Sequence, residues 1–138
     1  MRLIGLDVGD RRIGIASGDT DSGLAVPAGA IERTKTQADV QAVLAEVTSR
    51  DAELIVVGMP VSMNGHIGPQ AESVASFIQI LGTLKGLDIV SVDERLSTVE
   101  ATRRMHEGRA SRGKASRGDI DAGAAAVILQ SYLDSLRD

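Results

Sequence analysis

At 138 residues, with 43% apolar and 25% charged side chains, the chain has the size and composition of one globular domain rather than a disordered tail. The absence of cysteine excludes disulfides and thiolate metal sites, and no apolar run is long enough to span a bilayer. A formal charge of −4, with one Phe, one Tyr and no Trp, argues against a nucleic-acid coat or a base-stacking platform.

The first residues, Met1-Arg2-Leu3-Ile4-Gly5-Leu6-Asp7, reach an acid too early for a secretory signal, so a cytoplasmic location is expected. Arg2 to Asp7 reads as a first strand. Asp10-Arg11-Arg12 is a turn, and Ile13 to Ser17 resumes as the second arm of a hairpin. Gly23 to Arg33 is a third strand, with Pro27 marking an irregularity. Val40, Val43, Leu44 and Val47 then repeat at helical spacing, with Thr36 as candidate N-cap.

Leu54-Ile55-Val56-Val57, ending at Gly58, is a continuous apolar run, as in a buried parallel strand. After a loop, Pro69 sits where a helix can begin, and Ala71, Val74, Ala75, Ile78 and Leu81 mark its inner face. Leu87 to Val92 is another strand, running into Asp93-Glu94-Arg95-Leu96. Ser97-Thr98-Val99-Glu100 matches a capping box and predicts a helix to about Glu107. A Gly/Ser/Arg/Lys-rich stretch follows, and a last helix starts near Asp119 or Ile120. Antiparallel strands followed by βαβ units predict an α/β domain over residues 1–138: one mixed five-stranded sheet, three strands antiparallel and the rest parallel, flanked by helices.

Three acids fall at special points of this plan. Asp7 ends the first strand, Glu94 lies just past the last strand, and Asp121 lies in the first turn of the last helix. Ligands of open α/β sheets gather beyond the carboxyl ends of the strands. Carboxylates converging there suit Mg²⁺ or Mn²⁺, and a pair of such ions supports phosphodiester hydrolysis. At about 100° per residue Asp121 shares the face of Ala125, Ile128 and Tyr132, whereas Asp119 points roughly 200° away and fits an N-cap. Capping and metal ligation both remain open for this pair. Asp93 and Glu94 point to opposite faces if the strand persists, and the pattern does not choose between them.

Basic residues supply the other half of the chemistry. From Arg103 to Arg117 the chain carries Arg103, Arg104, Arg109, Arg112, Lys114 and Arg117 against the single acid Glu107, a patch able to grip a phosphate backbone. Arg11, Arg12 and Arg95 are further candidates for phosphate contact. In the hairpin, Gly9 and Gly14 also admit the plainer reading of turn formers. His66 and His106 lack a histidine partner at metal spacing and receive no ligand role.

Ile4-Gly5-Leu6-Asp7-Val8-Gly9 with Arg12-Ile13-Gly14-Ile15-Ala16 resembles the opening of the YqgF/RuvX family. Val57-Gly58-Met59-Pro60 with Asn64-Gly65, Asp93-Glu94-Arg95-Leu96-Ser97-Thr98, and Asp121 with Ala124 to Leu133 resemble its later blocks, in order and over nearly the whole chain. Met59 stands where the family usually has Leu, and Ser97 where it has Thr.

The resemblance implies an RNase H-like fold related to Holliday junction resolvases. It also implies a nuclease that matures the 5′ end of the small-subunit ribosomal RNA precursor. The family's acids map onto Asp7, Glu94 and Asp121, with Asp93 beside them and Asp119 a second acid near the last block. Three activities follow as expectations: an Mg²⁺- or Mn²⁺-dependent nuclease on RNA, a resolvase of branched DNA, and a non-catalytic nucleic-acid-binding factor in ribosome assembly. The protein would be a monomer or homodimer; a resolvase needs two sites and so a symmetric dimer. An actin-like ATPase would need a second related domain, for which the chain has no room.

Overall fold

A computed structural model describes residues 1–60, 68–83, 87–94 and 117–137. Among them the order is β1 (Arg2–Val8), β2 (Arg12–Asp19), β3 (Leu24–Glu32), α1 (Thr36–Ser49), β4 (Leu54–Met59), α2 (Pro69–Gly82), β5 (Asp88–Asp93) and α3 (Arg117–Ser135). The helix expected from Ser97 lies outside the described residues, as do Asn64, Gly65 and both histidines.

The five strands form one mixed sheet in the order β3-β2-β1-β4-β5, antiparallel across β1–β2–β3 and parallel across β1–β4–β5. The apolar run 54–57 becomes β4 because both of its faces are covered: Leu54 and Val56 pack on one side, Ile55 and Val57 on the other. The period of two along β1 sorts the core in the same way. Ile4, Leu6 and Val8 join Val40, Val43, Val74, Phe77 and Leu81 under α1 and α2, while Leu3 joins Ala124, Ala125, Ile128, Leu129 and Leu133 under α3. Gly5 allows the close approach of α3, since a Cβ there would lie 2.7 Å from Leu129 Cβ.

Pro27 marks an irregularity, as its position in the strand suggests. The β2–β3 register shifts between Ile15, opposite Gly29, and Ala16, opposite Pro27, which leaves Ala28 as an inserted residue. Gly29 takes φ +108°, the left-handed region a bulge of this kind uses. Two helix starts differ from expectation. Thr36 is the first residue of α1 rather than its cap, which is Lys35 with no side-chain cap bond. Asp39 binds the preceding Thr34 amide instead, so the local donor is satisfied from inside the helix. The described part of α3 opens at Arg117, so Asp119 lies inside the first turn and not at the cap. Pro69 does occupy the first turn of α2.

Candidate functional site

Asp7 sits next to the end of β1, at an odd position like Leu3 and Gly5, and so on the α3 side of the sheet. Only 4% of it is exposed, which makes it one of two buried charged residues among those described. Its neighbours across the sheet are both glycines. Gly14 pairs with it on β2, and Gly58 on β4 lies one step beyond the last paired residues, Leu6 and Val57. A Cβ at Gly14 would fall on the carbonyl oxygen of Asp121, and one at Gly58 would run into Ile128 and lie 2.9 Å from Glu94 Oε1. The two glycines flanking Asp7 thus let helix α3 and the end of β5 press close onto the sheet beside it.

Glu94 follows β5 directly. Val90 and Val92 pack into the α3-side cluster, and Glu94 continues that phase, its Oε1 lying over Gly58. Asp93 pairs in register with Met59 and takes the opposite phase. The choice that sequence left open is thus resolved in position: Glu94, not Asp93, shares the face of Asp7.

Asp121 also reaches this face, its backbone pressed against Gly14. Its carboxylate is engaged: Arg12 Nε donates to Asp121 Oδ2 at 2.7 Å, with both side chains about a fifth to a quarter exposed (20% and 24%). The hydrogen bond to Asp121 holds the Arg12 guanidinium above its ordinary pKa; desolvation opposes it, and the charges of Asp121 and Glu32 add to it. Sequence reading assigned Arg12 to phosphate and Asp121 to metal, and did not foresee that each would be the other's partner. Asp119 is exposed, in the first turn of α3.

Asp7, Glu94 and Asp121 are therefore gathered at one end of one face. They are not closed into a metal-binding group: among the described residues no three His, Cys, Asp or Glu side chains come near enough to hold an ion between them. Their chemistry nonetheless fits a hard divalent cation, since all three offer carboxylate oxygens at one end of one sheet face. Asp121 could join such a set only by exchanging Arg12 for the cation. Among the basic candidates, Arg11 and Arg117 are exposed, while Arg95, Arg103, Arg104, Arg109, Arg112 and Lys114 lie outside the described residues. No described helix is long and apolar enough to cross a membrane.

A mixed five-stranded sheet in this order, flanked by helices, is the RNase H-like fold. The chain matches Thermus thermophilus RuvC in complex with Holliday junction substrate at a TM-score of 0.64 and 13% identity, covering 99% of this chain and 96% of that one. It matches a Fowlpox virus resolvase bound to substrate Holliday junction DNA at a TM-score of 0.61 and 15% identity, over 100% of both chains. The chain belongs to the RuvX family, described as Holliday junction resolvase, whose model matches residues 1–135. Its relatives include proteins named "Putative pre-16S rRNA nuclease" from Caldanaerobacter subterraneus subsp. tengcongensis, 45% identical over 100% of this chain and 99% of the relative, and from Desulforamulus reducens, 44% identical over 98% of each.

Proposed function

We propose that this chain is a divalent-metal-dependent nuclease of the cytoplasm that hydrolyses phosphodiester bonds in the 5′-end maturation of the 16S ribosomal RNA precursor. The observation that carries the reading is the buried carboxylate of Asp7 between Gly14 and Gly58, with Glu94 and Asp121 on the same face. Three carboxylates brought to one end of a sheet face supply the hard oxygen ligands that a divalent cation takes.

Asp7, Glu94 and Asp121 would hold Mg²⁺ or Mn²⁺, with Asp93 and Asp119 as secondary candidates. When bound, the cation supplies charge stabilisation at the phosphate and makes water a better nucleophile. The chain's own groups do the rest. Arg12 draws the phosphate toward Asp7 once it leaves Asp121, and α3 shields this face of the sheet from bulk water. Arg11, Arg95, Arg103, Arg104, Arg109, Arg112, Lys114 and Arg117 hold the flanking nucleic-acid backbone. The test is cleavage of an RNA carrying the 5′ precursor segment by the unaltered protein and by Asp7→Asn. Equal cleavage by both proteins would remove the assignment.

A second reading, resolution of branched DNA by a homodimer, is favoured by the family description and by the resolvase likeness of the fold. Symmetric nicking of a four-way junction, with precursor RNA left intact, would select it. Salt-sensitive binding with no cleavage of either substrate at any divalent-ion concentration would instead select a non-catalytic assembly factor.

A further inference from the structure

Arg33 follows β3 on the side of the sheet away from α3, and it is the most heavily engaged basic side chain described. Its Nε donates to Asp39 Oδ2 at 3.1 Å, and its Nη1 donates to the Gly9 carbonyl at 3.0 Å. Its own backbone amide donates to the Arg11 carbonyl at 2.8 Å. The guanidinium also lies over the Phe77 ring, 5.5 Å from its centroid. Asp39 is 2% exposed and also accepts from the Thr34 amide at 3.0 Å and the Thr34 hydroxyl at 3.4 Å.

One residue therefore grips the β1–β2 turn at two carbonyls, while α1 and α2 hold that residue through Asp39 and Phe77. The turn itself is closed by a single bond, from the Gly9 amide to the Arg12 carbonyl at 3.0 Å, and its middle residues Asp10 and Arg11 are exposed. Immediately before it comes the strand bearing Asp7, and at its end stands Arg12, bound to Asp121. A planar guanidinium can hold a carboxylate, a carbonyl and a ring face at once, which an ammonium cannot.

We propose that Arg33 is a positioning residue for the site on the opposite side of the sheet: by clamping the Gly9–Arg12 turn it sets the approach of Arg12 to Asp121 and the placement of Asp7. The consequence for cleavage rests on the nuclease reading above; the clamp itself does not. Nothing in the sequence around Arg33 signals this role, because its two acceptors and its aromatic partner come from other elements.

The test compares Arg33→Lys and Arg33→Met with Val43→Ala, a loss of buried α1 volume that removes no hydrogen bond. In ¹⁵N spectra of the metal-free protein, the Arg12 Nε–H signal and the Arg12 amide should exchange about tenfold faster in both Arg33 variants, with β4 amides still protected, as in local opening. In Val43→Ala the Arg12 signals should stay as in the unaltered protein. Cleavage should fall about tenfold in kcat for Arg33→Lys with KM nearly unchanged, the scale of a small misplacement of reacting groups. Should Arg33→Met fail to fold, Arg33→Lys decides alone. Unchanged Arg12 exchange in Arg33→Lys, or equal loosening in Val43→Ala, overturns the proposal. Absence of cleavage by the unaltered protein sinks the nuclease reading only, since the spectra still decide on the clamp.

Discussion

Arg12 and Asp121 stand 109 residues apart in the chain, yet Arg12 Nε donates to Asp121 Oδ2 at 2.7 Å, tying the start of β2 to α3 near its N-terminal end. This bond joins a residue expected to face phosphate with one expected to face a cation. The two roles are compatible if the pair opens when substrate and metal arrive together, each partner then taking an opposite charge from outside.

The pair yields a prediction about pH. Arg12 has its folded-state pKa raised, so its contribution to stability is fully present below the unfolded value and is lost only as pH rises through the folded one. The destabilisation by Arg12→Met should therefore be the same at pH 7 and pH 10. Thermal melting at both values checks it; a difference that shrinks by pH 10 would place the lost stabilisation elsewhere.

Asp7→Asn should fold with a melting midpoint close to that of the unaltered chain and lose cleavage by about a thousandfold or more, the scale of removing a principal electrostatic group from a site. Circular dichroism and single-turnover cleavage check the two halves. Chelation of divalent ions should abolish cleavage while leaving the far-ultraviolet spectrum unchanged, because the described core is built from apolar side chains on both faces of the sheet.

The two glycines beside Asp7 should respond differently to alanine. At Gly14 the new methyl group meets backbone, the Asp121 carbonyl, which cannot swing aside. At Gly58 it meets the end of Ile128 and the carboxylate of Glu94, both of which can turn. Gly58→Ala should cost about 1–3 kcal/mol, as overpacking usually does, and Gly14→Ala more than that. Denaturant titration gives the order; the reverse order would mean that α3 lies less tightly on β2 than described.

Removing the buried acid on the other face tests the Arg33 network's weight. Asp39→Ala leaves a guanidinium that is 16% exposed without its carboxylate, and about 3–5 kcal/mol of stability should go with it. Arg11→Ala, by contrast, touches an exposed side chain. It should leave stability unchanged and lower the salt dependence of nucleic-acid binding by about one phosphate contact.

The fold was legible where burial imposes a period. The run 54–57 announced a strand covered on both faces, and Pro27 announced the break in β3. The candidate acids were legible because Asp7 and Glu94 stand where apolar strands stop. The choice between Asp93 and Glu94 was not, since it depends on how far strand phase continues past Val92, which tertiary packing against α3 decides. The engagement of Arg12 and the burial of Asp39 were hidden for a similar reason. A charged side chain carries no mark of whether its partner is water, phosphate or a residue a hundred positions away. Helix starts were misplaced by one residue at Thr36 and by two or three at Asp119, because an acid or hydroxyl residue occurs both at a cap and in the first turn.

The bulge at Pro27–Gly29 bears on what the molecule refuses to do. β3 is an outer strand, and Leu24 and Val26 on it are exposed, which would ordinarily invite another extended chain to dock and prolong the sheet. Proline offers no amide hydrogen, and the inserted Ala28 throws the spacing of the remaining donors and acceptors out of step. An incoming strand could satisfy one half of that rim or the other but not both, so this margin of the protein resists fibrous growth.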